Sequence, residues 1–381
     1  MPYFDHNATT PLDPIARETW LRANDEHWHN PSSLYRDAAK ARIRMDNARA
    51  RLAEYLGAAE KEIVFTSGAT ESVHAALAHL AAQAGPEAEI AVNRTEHSAV
   101  LSAARRWFGS RIRWLNTDRN GVLLWPELEE KARGSHAVVV MAANNETGAI
   151  QPWEKIAEFC GRHHLPYVCD AAQWLGKLPC GGLAEADWVF GSGHKFGAPK
   201  GVGFLKISSS ARAFSTQPGG AQENGHRGGT EDLPSIWAMV EILAEAEHRK
   251  VLLESERLTW RKQFEDQVTR EIAGVRVIGA EADRLWNTVS LLMPFGASQR
   301  WIAQLDKLGF QISNGSACAT RKEESSHVIA AMGYSGDDAQ RILRISSGWE
   351  TKRTDWTALA EALTAVAPDL KATEATGVIK V

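Results

Sequence analysis

Between residues 60 and 207 the chain alternates short apolar runs with helical stretches, and this alternation restricts the fold more than any other feature. Residues 62–65, 89–92, 111–115, 137–141, 166–169, 187–190 and 201–205 read as strands. Residues 71–83, 97–108, 125–132 and 154–163 read as helices between them. Several of these strands are apolar at consecutive positions, which predicts a mostly parallel sheet covered by helices on both faces. In open sheets of that kind, ligands bind beyond the carboxyl ends of the strands. Residues 234–271 read as one or two long helices, with Ile236, Met239, Val240 and Leu243 at i, i+3, i+4 and i+7. Short strands at 275–278, 288–292 and 310–312 then mix with helices, which predicts a smaller α+β unit.

Composition removes several classes of function. Lys plus Arg is 43, Asp plus Glu is 47, and the net charge is −4. Nucleic-acid binding rests on clustered positive charge, so no direct nucleic-acid partner is expected. No apolar run approaches the ~18 residues of a membrane span. The start, Met1 to His6, has an acid at once and no apolar stretch, so it does not read as a secretory signal. The four cysteines form no Cys-x-x-Cys pair, and a reducing, cytoplasmic setting with free thiols is expected. Cys160-x-x-His163-His164 lacks a second ligand pair, and no metal is expected.

The residues after the strands carry the chemistry. Thr66-Ser67-Gly68-Ala69-Thr70-Glu71-Ser72 opens a helix after the first strand; it reads as a phosphate cup or as a plain Ser/Thr cap. It lacks the Gly-x-x-x-x-Gly-Lys pattern of a nucleotide loop. Asn144-Asn145-Glu146-Thr147-Gly148 follows a later strand. Asp170-Ala171-Ala172-Gln173 follows the next, and Asp170 reads as an anchor for a cationic nitrogen or as a helix cap. Lys195, in Gly191-Ser192-Gly193-His194-Lys195-Phe196-Gly197, stands at the end of a buried strand. Burial lowers a lysine's pKa and favours a Schiff-base amine. Thr70, Asp170 and Lys195 together supply what pyridoxal 5'-phosphate needs: an anion cup, an acid for the ring nitrogen and a lysine. Cys318 lies among small residues, in a stretch that reads as an exposed loop. Arg321 and Lys322 beside it favour a reactive thiolate, partly offset by Glu323 and Glu324.

These segments run in order along nearly the whole chain. They include Asp5-His6-Asn7-Ala8-Thr9-Thr10-Pro11, Thr95-Glu96-His97, Ser192-Gly193-His194-Lys195, Arg227-Gly228-Gly229-Thr230-Glu231, Gly315-Ser316-Ala317-Cys318 and Leu343-Arg344-Ile345-Ser346. Their pattern resembles the cysteine desulfurases of the nitrogen-fixation and iron–sulfur-cluster type, class V aminotransferase-like enzymes of fold type I. The resemblance implies a large cofactor-binding domain, 14–250, and a small α+β domain, 1–13 with 251–381, carrying the cysteine loop. It implies a Schiff base on Lys195, a ring-nitrogen partner in Asp170 and a stacking, proton-shuttling His97. Ala69, Thr70, Ser192 and His194 would hold the phosphate. Thr230 would do so from a partner subunit, in a homodimer with composite sites. Gln173 and Asn145 would bond the ring oxygen and the substrate, and Arg344 the substrate carboxylate. The implied reaction takes sulfur from L-cysteine, leaving L-alanine and a persulfide on Cys318 for a protein acceptor such as an iron–sulfur scaffold or a thiolation enzyme. A selenocysteine lyase or another C–S lyase of the same cofactor is the alternative. His29, Asn314 and Trp349 depart from common residues of that family without removing a catalytic group.

Overall fold

The structure, a computed structural model, describes residues 2–211, 213–315 and 326–376. Its centre is a seven-stranded sheet: β1 (Ile63–Thr66), β2 (Ile90–Asn93), β3 (Ile112–Leu115), β4 (Ala137–Val139), β5 (Tyr167–Asp170), β6 (Trp188–Ser192) and β7 (Gly203–Lys206). The spatial order is β1-β7-β6-β5-β4-β2-β3. β3, β2, β4, β5 and β6 pair in parallel; β7 is antiparallel to both β6 and β1, so it alone runs against the rest.

The unbroken apolar runs exist because successive side chains of a strand point to opposite faces and both faces are covered. On one face Ile63, Phe65, Val138, Tyr167, Cys169, Val189 and Phe204 pack under the helices α1 (Pro14–Glu26), α2 (Arg36–Leu56), α5 (Trp125–Ala132), α6 (Trp153–His163) and α7 (Leu233–Glu271). On the other face Val64, Val139, Val168, Trp188, Phe190 and Leu205 pack under α3 (Ala69–Gln83) and α4 (Ser98–Phe108). Each fully buried aliphatic or aromatic side chain contributes about 1.5–3 kcal/mol.

α7 is one helix of 39 residues. Its first half buries Ile236, Met239, Val240 and Leu243 against the large sheet, and its last turns bury Phe264 and Val268 elsewhere. That second core belongs to a three-stranded antiparallel sheet, β8 (Arg276–Val277), β9 (Thr288–Leu292) and β10 (Ile342–Ser346), in the order β10-β9-β8. The helices Ser298–Lys307 and Arg353–Thr376 cover it. Residues 310–312, expected as a strand, form no ladder. Gln311 makes one bridge to Tyr3, and Ser313 one to Arg344. The N-terminal segment runs beside β10 through a bridge between Asp5 and Ser346, which delivers Asn7 and Ala8 to the carboxyl ends of the large sheet.

Candidate active site

The parallel strands end on one edge, and the segments leaving β1, β2, β4, β5 and β6 meet there around a cavity of about 430 Å³. Ala69, Thr70, His97, Asn145, Asp170, Gln173, Ser192, His194 and Lys195 all line it. The spatial order reverses between β2 and β4, the site at which such sheets open a crevice. His97 follows β2 and Asn145 follows β4.

One end of the cavity is the N-terminus of α3. Gly68 caps this helix with φ of +147°, and a Cβ there would lie 3.2 Å from Ser192 Oγ. A Cβ on Gly203 would come within 2.6 Å of Gly68 Cα and 2.5 Å of Gly191 O. Three glycines thus let β6, β7 and the β1–α3 turn close on one another, which puts Ser192 and the first residues of α3 on the wall of the same cavity. Glu71, in the first turn, is paired with Arg227 at 3.0 Å and accepts Ser67 N–H at 2.8 Å. Its charge is thereby compensated, and the terminus stays receptive to an anion.

Lys195 rises from the short turn after β6. Its amine donates to the carbonyls of Asn7 and Ala8, each at 2.8 Å. Burial, then the Arg344 guanidinium, lowers its pKa to about 8, with Asp170 and Asp5 pulling the other way. An unprotonated amine is therefore accessible near neutral pH. Asp170, the last residue of β5, is only 7% exposed. Burial raises its carboxyl to about 6, while the Ala172 N–H at 2.9 Å and Lys195 favour the charged form.

His97 is the N-cap of α4 and accepts the Ala99 N–H on Nδ1 at 3.2 Å. A backbone N–H can only donate, so the neutral ring carries its proton on Nε2. Burial, then Lys195 and His327, lowers its pKa to about 4. His194, whose Nδ1 lies 3.1 Å from Thr9 Oγ1, is lowered to about 4 by burial and by Lys195.

Two predicted residues stand apart from the cavity wall. Arg344, on β10, is 1% exposed and does not line it. Its Nη1 donates to Asn145 O at 3.3 Å and Gly315 O at 3.1 Å, and its Nη2 to Asp5 Oδ1 at 2.6 Å. Its Nε is buried with no partner among the described residues. Thr230 is exposed and away from the cavity. Cys318 lies outside the described residues.

Sequence reasoning passed over four buried polar residues at this edge. The Asn7 carbonyl accepts both Lys195 Nζ and Gln173 Nε2, and its side chain bonds Asn145 O, Thr288 Oγ1 and Asn287 Nδ2. Glu96, fully buried, accepts the Met141 N–H at 2.6 Å; burial, then Asp170, raises its pKa well above the usual range. Glu146 accepts the Ser326 hydroxyl at 2.5 Å, and burial raises its pKa too. Lys177 is the fourth. The short motif Asp5-His6-Asn7 was the available signal for Asn7, and the others had none beyond their place next to named residues.

A lysine, a carboxylate and an anion-binding helix terminus around one cavity define an α/β protein that can hold a phosphorylated carbonyl compound against an amine. Residues 2–359 match the family described as aminotransferase class-V, and the chain belongs to it. It is 35% identical over 380 residues to a cysteine desulfurase of Cereibacter sphaeroides, covering 97% of this chain and 96% of the relative. A solved NifS-like protein superposes with a TM-score of 0.89 at 28% identity, covering 97% of this chain and all of the other. A structure of SspA in complex with cysteine superposes with a TM-score of 0.78 at 27% identity, covering 91% of this chain and 99% of the other.

Proposed function

We propose that the chain is a pyridoxal 5'-phosphate-dependent cysteine desulfurase, working as a homodimer, that moves sulfur from L-cysteine onto Cys318. The observation that carries the reading is Lys195 and Asp170 on the wall of one cavity whose end is the α3 N-terminus. The donor set fits the cofactor. Backbone N–H groups at Ala69 and Thr70, with Ser192 and His194, suit a phosphate, and the fold leaves no Cβ at Gly68 to fill that space. Asp170 suits a protonated ring nitrogen, Gln173 an oxygen on the ring, and His97 a flat face to stack on the ring. When bound, the cofactor supplies a conjugated ring that delocalises the electron pair left on a substrate carbon.

The chain's own groups do the rest. Lys195 would hold the cofactor through its carbonyl, and its amine, kept partly unprotonated by burial, would be the group that takes the Cα proton on Nζ. Arg344 takes the substrate carboxylate by turning from Asp5 and Gly315 toward the cavity, exchanging one carboxylate partner for another. The Cys318 thiolate attacks the substrate sulfur. An S–S bond forms, the Cβ–S bond breaks and its electron pair stays with the carbon, which is protonated. L-Cysteine plus one thiol becomes L-alanine plus one persulfide, and no outside oxidant is required. The persulfide then passes to a sulfur acceptor, and Thr230 of each subunit completes the phosphate site of the other. Among the described residues no helix is long and apolar enough to cross a membrane.

The test is alanine and sulfide released from L-cysteine with a thiol reductant present. Wild type should give equal amounts, and Cys318→Ala should lose both by a factor of about 100 or more. A Cys318→Ala variant that matches wild type would show that sulfur leaves by another route and would overturn the proposal.

A further inference from the structure

Among the described residues, Lys177 is the one buried lysine at the site edge that the reaction above does not use. It is 4% exposed and lies four residues beyond Gln173 in the turns that follow β5. Its amine donates to Gln173 Oε1 at 2.7 Å and to Gln173 O at 3.1 Å. Its surroundings are built to keep it there. Trp286 Nε1 donates to the Lys177 carbonyl at 3.0 Å, and Trp349 Nε1 to the Gly176 carbonyl at 2.8 Å. The two indoles pack with centroids 4.1 Å apart. Gly176 has φ of +72°, and a Cβ there would lie 2.2 Å from Phe196 Cβ, so the chain makes this turn only with glycine. Lys177 and Lys195 both line a second cavity of about 530 Å³, which shares Lys195 with the cavity that Gln173 lines.

A carboxamide has two ends that differ only in being donor or acceptor. A lysine ammonium only donates and has no way to bond the NH2 end of Gln173. Lys177 therefore fixes Oε1 on its own side and turns Nε2 toward Lys195, where it donates to the Asn7 carbonyl at 3.0 Å. That carbonyl also receives Lys195 Nζ. We propose that Lys177 is a positioning residue, which holds the Gln173 carboxamide with its NH2 end presented to the cofactor's ring oxygen. The assignment rests on the function proposed above and deepens it. It holds in full while Lys177 is charged; the neutral amine also carries a lone pair, and the Asn7 carbonyl, which only accepts, then keeps Nε2 on its side. This matters because burial, then Lys195 and Arg344, lowers the Lys177 pKa to about 7.

The test is spectroscopic and uses cofactor-loaded protein without substrate. The visible band of the lysine-linked cofactor titrates with pH. A donor on the ring oxygen stabilises that oxygen's anion and weakens its hold on the linking nitrogen's proton, so losing the donor raises the band's midpoint. Gln173→Ala and Lys177→Met should each raise it by about half a unit or more. The double variant should go no further than Gln173→Ala alone, because the two residues act as a unit. Lys177→Arg, which keeps a donor, should stay nearer wild type than Lys177→Met does. Should Lys177→Met not fold, Lys177→Gln takes its place, with the same non-additivity expected. A midpoint unchanged by Lys177→Met, or shifts that add in the double variant, would overturn the assignment while leaving the enzyme reading intact. A wild-type protein that forms no such band would overturn both.

Discussion

At the scale of single residues the site is a compromise between charge and burial. Lys177 and Lys195 are held at about 7 and about 8, against 10.5 when free, chiefly by burial. The unfolded chain then binds more protons than the folded one from about pH 7 up to 10.5. Stability of the cofactor-free protein should therefore rise with pH from the lower end of that window. Buried thiols oppose this at higher pH, as does the Glu96 carboxyl, which burial raises well above its usual range, for as long as it stays protonated in the fold. Burial pushes Cys160 up to about 12, so an unfolded chain gains from ionising its cysteines once pH passes their usual 9. Urea denaturation should show stability rising by roughly 1–2 kcal/mol between pH 7 and 8.5, then levelling and falling. Lys177→Met should flatten the rise; a wild-type curve already flat across that interval would contradict the buried amines. Lys195 was legible in the sequence because glycines flank it at a strand end. Lys177 was not, because an isolated lysine reads as solvated and only the tertiary structure buries it. Asn7 was hidden for a similar reason: its partners lie more than 130 residues away.

At the scale of elements, the strands of the large sheet were readable because burial on both faces demands runs of apolar residues. β4 shows it: Val138 packs toward one layer, Ala137 and Val139 toward the other. Residues 310–312 looked equally strand-like but make a single bridge, and periodicity alone does not say whether a partner edge is present. β10 passed unread as a strand because it alternates apolar with the buried polar residues Arg344 and Ser346. The segment after β7 was also hidden. It is tied to β1 by Glu223, a residue in left-handed conformation with φ of 49°. Both Glu223 oxygens take the Arg49 guanidinium, at 2.7 and 2.8 Å, and Oε2 also accepts the Phe65 N–H at 2.7 Å. The pair is nearly fully buried, at 10% and 1% side-chain exposure. Glu223→Ala strands a buried guanidinium and an N–H of β1, and should cost about 3–5 kcal/mol in chemical denaturation. Replacing Arg49 and Glu223 together by Met and Leu should recover the part due to the stranded charge, while the Phe65 N–H and the Ile63 carbonyl stay unpaired. A single variant costing under about 1 kcal/mol would show that water reaches the guanidinium.

At the scale of the whole molecule, the arrangement of Thr230 has the largest consequence. It is exposed and does not line the cavity of its own chain, which Ala69, Thr70, Ser192 and His194 do line. In the proposed homodimer Thr230 serves the other subunit's site, so each site draws Lys195 from one chain and Thr230 from its partner. Such division can be tested by complementation. Lys195→Ala removes the amine. Thr230→Asp sets a carboxylate against the cofactor phosphate, and like charges at that distance repel strongly when partly desolvated. Each variant alone should be inactive. Mixed by co-expression, half the dimers pair the two variants. In these, one site has Lys195 and a native partner Thr230 and the other has neither, so activity should return to about a quarter of wild type. If both residues served a single chain, every site in the mixture would carry one lesion and none would work. Inactivity of a mixture shown to contain the mixed dimer would therefore place Thr230 in its own subunit's site or outside the site altogether.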